Sequence, residues 1–189
     1  MGEVITIGLD IAKSVFQVHG VDVEGAVVIR KRVSRAKVLE FFSTLPSSIV
    51  GIEACPSAHH WSRQLQTLGH TVRLMPPSYV KAYLKRSKND ANDAAAICEA
   101  VTRPSMRFVP TKSEQQQSGL MLHRSRQLLV RQRPMLSNAI RGHMAEFGII
   151  SAKGRNGTAE LFKVITDERT VGFLQPRGSV SMFLPANTP

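Results

Sequence analysis

Val4-Ile5-Thr6-Ile7-Gly8-Leu9-Asp10-Ile11-Ala12-Lys13 is a β-branched run that ends in a single carboxylate. Val, Ile and Thr suit a pleated, half-buried surface, so residues 4–9 are expected as a strand near the middle of a sheet. Asp10 stands where the apolar character gives out. A carboxylate there is costly to bury unpaired. Either the strand simply ends and Asp10 caps a turn, or a rigid strand end holds Asp10 for a cation.

The surrounding chain builds a sheet around that run. Residues 14–20 alternate as a second strand would, residues 21–25 read as a turn, and residues 26–33 as a third strand. This is an antiparallel meander. Ser34 suits the N-cap of a helix over residues 35–44, with Val38, Leu39, Phe41, Phe42 and Leu45 at near-helical spacing. Ile49-Val50-Gly51-Ile52-Glu53 then repeats the opening pattern: a short apolar strand closed by one acid. Ser57 is expected to cap a helix over residues 58–68 that lines up Trp61, Leu65 and Leu68. Gly69 falls where a helix end wants positive φ. Residues 71–75 make a further strand, closed by Pro76-Pro77. Strand, helix and strand with short links form a βαβ crossover, so this half of the sheet is expected to be parallel.

Residues 78–86 form a short basic segment. The Ala run after Asn89-Asp90-Ala91-Asn92-Asp93 argues for helix. Asp90 and Asp93 are three residues apart and share a face near its start. Capping by Asp90 accounts for one acid and leaves the second unexplained. Phe108-Val109-Pro110 is a short extended piece. From Ser113 onward Leu120, Leu122, Leu128, Leu129, Met135, Leu136, Ile140, Met144 and Phe147 set out one or two long helices ending at Gly148. Pro134 is expected to break or kink the helix near Arg133, or to start a second one. Arg124, Arg126, Arg131, Arg133 and Arg141 lie between the apolar positions. They form either a solvated face or a stripe that tracks phosphates, and the scarcity of acids points to the stripe. From Ser151 the periodicity fails, and residues 172–189, with Pro176, Pro185 and Pro189, are expected to have low order.

The bulk composition agrees with a polyanionic partner. The 189 residues are 42% apolar, enough for one domain and part of a second. Twenty-five Lys and Arg stand against 14 Asp and Glu, a net +11, and nucleic acid is expected before a membrane. Residues 1–111 carry 14 basic and 9 acidic groups, residues 112–155 carry 8 and 2, and residues 156–189 carry 3 and 3. Basic density therefore peaks in the third quarter. Cys55 and Cys98 make no zinc spacing and read as free thiols of a cytoplasmic protein. No apolar run is long enough to span a bilayer.

Four carboxylates thus stand in suggestive places: Asp10 and Glu53 at strand ends, Asp90 and Asp93 on a helix. A βαβ sheet can bring two neighbouring strand ends and a packed helix to one point. Four acids in a basic protein need a counter-charge, and a pair of Mg²⁺ (or Mn²⁺) ions about 4 Å apart supplies it in phosphodiester chemistry. Lys13, Lys85, Arg86 and Lys88 beside the acids, with the helix arginines, would hold the nucleic-acid backbone.

On these residues the chain resembles the N-terminal part of the DEDD insertion-sequence transposases, the insertion-sequence one-hundred-and-ten class that includes the pilin-gene invertases. The matching pieces are Ile7-Gly8-Leu9-Asp10-Ile11-Ala12-Lys13, Gly51-Ile52-Glu53-Ala54, Lys88-Asn89-Asp90-Ala91-Asn92-Asp93-Ala94, and Leu136-Ser137-Asn138-Ala139-Ile140-Arg141-Gly142 running to Glu146-Phe147-Gly148. The resemblance implies an α/β, ribonuclease H-like (RuvC-type) mixed sheet with flanking helices, followed by a long helical segment. It also implies that Asp10, Glu53, Asp90 and Asp93 are the metal-binding catalytic acids of a DNA recombinase guided by a structured RNA. Residues 1–111 are then the catalytic domain, and residues 112–150 a long basic helical segment through which the chain self-associates. Such transposases also carry a second domain with a serine proposed as nucleophile. The resemblance stops near residue 150, so residues 151–189 are expected to be an irregular tail, the remainder of a truncated or frameshifted copy that does not recombine DNA alone. Two other readings compete: a nucleic-acid-binding fragment without catalysis, and an actin- or sugar-kinase-like ATP-binding fold, for which Ala12-Lys13-Ser14 makes a poor phosphate hairpin.

Overall fold

Strand β1 (Thr6–Asp10) lies at the centre of a five-stranded sheet of order β3-β2-β1-β4-β5. The computed structural model describes residues 2–83 and 90–167, with the backbone alone at 90 and 91. Strand β2 (Val15–Val21) runs antiparallel to β1 and β3 (Val27–Ser34) antiparallel to β2, with an irregularity at Gly20 and Val21. On the other side β4 (Ile49–Glu53) is parallel to β1, and β5 (Thr71–Met75) parallel to β4. This is the meander followed by a parallel crossover that the sequence spacing dictates, and the mixed sheet expected of a ribonuclease H-like fold.

Each face of the sheet buries its own set. Successive side chains of a strand point to opposite faces. Ile7 and Leu9 of β1, Val50 and Ile52 of β4, and Val72 and Leu74 of β5 share one core with Phe16 and Val18 of β2. Two helices cover it, α1 (Val38–Ser43) with Val38 and Phe42, and α2 (Ala58–Thr67) with Ala58, Trp61 and Leu65. Phe16 meets Trp61 edge-on at 4.9 Å, and the Arg35 guanidinium lies over both rings. His70 is buried in the link between α2 and β5. Its Nδ1 accepts from the Ser48 amide at 3.3 Å, which leaves Nε2–H to donate to the Phe42 carbonyl at 3.1 Å.

The opposite face carries glycines. Gly8 pairs with Gly51 across β1 and β4. Helix α4 (Asp90–Val101) lies directly on them and packs against β1, β2 and β4. A Cβ on Gly8 would strike the Ala94 carbonyl oxygen and stand 2.5 Å from the Cys98 amide nitrogen. One on Gly51 would stand 2.8 Å from the Val101 Cβ. Ile97, Ala100 and Val101 of α4 complete this core with Met75 and Val80, the latter from the short helix α3 (Pro77–Val80). The Cys98 thiol donates weakly to the Thr6 carbonyl at 3.6 Å.

The two rims of the sheet differ. β3 is one edge and exposes Arg30, Lys31 and Arg32 in succession. Along the other edge, Val109 bridges to Leu74 of β5, its amide 2.7 Å from the Leu74 carbonyl.

Several local expectations are corrected. Ser34 and Ser57 make no side-chain cap bond. Ser34 leads into a 3₁₀ turn (Arg35–Lys37) that shortens α1, and Ser57 adopts φ +73. Gly69, at φ +90, does turn the chain after α2. Pro134 does not end a helix: α5 runs unbroken over 32 residues, Glu114–Ala145. A proline removes one ladder bond, at about 3 kcal/mol in a helix interior; flanking turns rich in Arg, Gln and Leu carry the helix through. The irregular chain expected after Ser151 instead contains α6 (Arg155–Thr166), with Gly157 and Leu161 buried. The chain forms two compact units, Met1–Ser118 and Gly119–Pro189. Lys85, Arg86, Lys88 and residues 168–189 lie outside the described residues.

Gly8→Ala should lower the unfolding free energy by about 3 kcal/mol in urea titrations, because a carbonyl and an amide of the α4 backbone must give way. Gly119→Ala, which meets nothing within 4 Å in α5, should raise it by up to about 1 kcal/mol. Equal responses would mean that α4 does not rest on the Gly8 backbone.

Candidate functional site

Register and parity bring the strand-end acids together. The parallel pairing of β1 with β4 runs to Leu9 beside Ile52. One step further along come Asp10 and Glu53, on strands about 4.8 Å apart. Asp10 has the parity of Gly8, and Glu53 that of Gly51. Both therefore point to the face that α4 covers. Because the two glycines carry no Cβ, α4 sits low enough to bring its first turns to the strand ends. Ala94 rests over Gly8, and Asp93 is its neighbour in sequence.

The electrostatics register this convergence. Glu53 is half-buried and holds its proton above the usual carboxylate value, first through burial, then through the charge of Asp93; Lys81 acts in the opposite direction. Burial, then the charges of Glu53 and Asp10, raise the Cys55 thiol. Glu53 thus feels the like charge of Asp93, the Cys55 thiol is kept protonated by Glu53 and Asp10, and one ammonium, Lys81 of the 3₁₀ turn Lys81–Tyr83, is set against Glu53. Carboxylate oxygens are the donors that hard divalent cations take. Among the described residues, no three His, Cys, Asp or Glu side chains stand close enough to hold a metal ion. The Asp90 side chain lies outside the described residues; its backbone is in the first turn of α4.

Sequence reasoning missed Lys81 and Cys55 as neighbours of the acids. Cys55 follows Glu53 by two residues, a signal available from the chain. Lys81 reaches the site only through the fold.

The basic positions fall in separate places. Lys13 is exposed in the β1–β2 connection. Arg124, Arg126, Arg131 and Arg133 are exposed along α5, whereas Arg141 is partly buried and donates to the Asn138 side-chain oxygen at 2.9 Å. Several of the apolar residues of that helix are exposed as well, Leu129 by 65% and Leu136 by 63%, whereas Met144 is buried and Leu120 and Ile140 are partly buried. No helix among the described residues is long and apolar enough to cross a membrane.

A family model described as a transposase, of the DEDD type named for the insertion sequence IS110, spans residues 7–149. The chain is 50% identical over 175 residues to a probable family 20 transposase of Pseudomonas aeruginosa, covering 92% of this chain and 52% of that protein. It is 51% identical over 152 residues to the putative transposase y4pF/y4sB of Sinorhizobium fredii, covering 80% of this chain and 39% of that one. It spans about half the length, or less, of these relatives. Among solved structures, T. thermophilus RuvC in complex with Holliday junction substrate matches at 13% identity and a TM-score of 0.39, over 57% of this chain and 99% of that chain.

Because the folded chain holds the Glu53 proton more tightly than an unfolded chain with its ordinary value of 4.5, the stability linked to Glu53 is complete below that value. It is lost as pH rises through the raised folded value. In chelator-treated buffer, Glu53→Gln should therefore melt higher than the parent at about pH 7 and coincide with it near pH 3. Coincident melts at both pH values would mean that burial and Asp93 exert no strain on Glu53.

Proposed function

Because this chain belongs to the DEDD transposase family of insertion sequences, we propose that its sheet carries a divalent-metal site for cutting and joining DNA strands, with Asp10, Glu53, Asp90 and Asp93 as its carboxylates. The observation that carries the reading is the convergence of Asp10 and Glu53, register neighbours on parallel strands, under the α4 turn that bears Asp93. The donor set fits Mg²⁺ or Mn²⁺: hard oxygens, mutually repelling and short of positive charge. When bound, the ions supply neutralisation at the attacked and leaving oxygens of a phosphodiester. The protein's part is to hold these carboxylates on two rigid strand ends and one helix, where Glu53 ionises less readily than an ordinary carboxylate. Lys81 assists ionisation, whereas burial and Asp93 oppose it. Metal affinity should accordingly rise with pH as Glu53 loses its proton.

In this reading residues 1–111 do the chemistry. Lys13, Lys85, Arg86, Lys88 and the arginines of α5 hold nucleic acid, DNA and a structured guide RNA, by its phosphates. The exposed Leu and Met side chains of α5 join two copies of the chain. Strand exchange by the whole protein belongs to the same proposal, since the chain spans about half of its relatives. Family membership sets aside the actin- or sugar-kinase-like reading. The alternative is a nucleic-acid-binding fragment without catalysis, which the same basic positions would serve.

Calorimetric titration with Mn²⁺ separates the two. Asp10→Asn, Glu53→Gln and Asp93→Asn should each weaken Mn²⁺ binding about tenfold or more while circular dichroism stays unchanged. Unchanged affinity in Asp10→Asn and Glu53→Gln would sink the metal site and leave the binding fragment.

A further inference from the structure

In the unit Gly119–Pro189, four cations line one cleft of about 280 Å³: Arg133 and Arg141 from α5, Lys153 from the following loop, and Arg155 from the start of α6. No Asp or Glu lines it; the polar neighbours are Asn138 and Thr158 among others. The four like charges repel one another across the cleft. The Arg141 Nε is buried and has no hydrogen-bond partner, although the same guanidinium donates to Asn138. The cleft also faces the first turn of α6. There the N-cap is Gly154 at φ +94 and supplies no side-chain acceptor, so the positive end of the helix dipole adds to the four charges.

We propose that this cleft binds a backbone phosphate of a nucleic-acid strand. Guanidinium groups match phosphate oxygens with paired hydrogen bonds, and an anion there quenches the repulsion among the four cations. The ligand is a repeating anion rather than a lone one because the cations continue: Arg126 precedes Arg133 by two helical turns on the same face of α5, and both are exposed. The proposal rests on the reading that the chain acts on nucleic acid and adds a localised site to it. The arginines that looked in sequence like one stripe divide, two of them joining Lys153 and Arg155, which sequence periodicity did not connect.

Fluorescence anisotropy of the full chain with a labelled single-stranded oligonucleotide, as DNA and as RNA, across a salt series tests it. The Lys153→Ala, Arg155→Ala pair should weaken binding about tenfold at low salt and flatten the log–log slope by roughly 1.4, some 0.7 for each lost contact. Arg155→Gln should show about half the slope change. The Arg30→Ala, Arg32→Ala pair removes the same charge from the exposed β3 rim and should leave the slope unchanged. Equal slopes for the two pairs would reduce the effect to net charge and overturn the site, as would calorimetric binding of millimolar inorganic phosphate with no oligonucleotide binding. Helicity by circular dichroism guards against loss of α6. The anisotropy is read in chelator-treated buffer, without Mn²⁺, so failure of the metal site and failure of this cleft read out separately.

Discussion

The packing of α4 onto two glycines is the constraint on which the rest depends. Gly8 and Gly51 face each other across the parallel strands β1 and β4, and neither position tolerates a Cβ beneath the helix. A side chain at either would lift α4 from the sheet. The helix would then carry Asp93 away from the strand ends, however well its own turns were formed. The absence of two methyl groups thus sets the height of a helix, and that height sets the distance between acids belonging to three elements. The opposite face has no such requirement. There Ile7, Leu9, Val50 and Ile52 fill the space under α1 and α2 with ordinary side chains. One sheet is therefore close-packed in two ways, by bulk on the structural side and by bare backbone on the side that carries charge.

The same closeness works against the fold. Glu53 sits beside Asp93, partly out of water, and both effects favour its neutral form. A domain that only had to be stable would place a neutral residue there. Lys81 supplies one compensating charge against this crowding. Cys55, at the same edge, feels Glu53 and Asp10 and is held in its thiol form.

Much of this was legible in the chain, for identifiable reasons. β-branched runs closed by single acids name their strands because the alternation and its end are local. The βαβ crossover follows from short links, and the antiparallel half of the sheet from the meander. Asp10 and Glu53 could be proposed together because both end the same five-residue pattern. What could not be read depends on distant or cumulative effects. Lys81 meets Glu53 only after a turn that the sequence leaves ambiguous. Ser34 and Ser57 have the composition of caps, but the backbone there enters its helices through a 3₁₀ turn and a left-handed residue. Pro134 is a strong local signal overruled by the summed propensity of the turns around it. Helix α6 was hidden because Gly154 and Gly157 look like a linker, whereas Gly157 is the point where the Ala152 carbonyl leaves no room for a side chain.

The two rims of the sheet decide how this domain can meet other chains. An open β-edge is a template for further strands, and proteins that leave one bare risk edge-to-edge aggregation. Here one rim carries Arg30, Lys31 and Arg32 in a row, so a second copy approaching it meets like charge before any amide finds a carbonyl. The other rim already has Val109 bonded to Leu74. Neither rim lends its backbone readily to a newcomer. Fusion of sheets is discouraged at one end by a charge row and at the other by a single bridging residue.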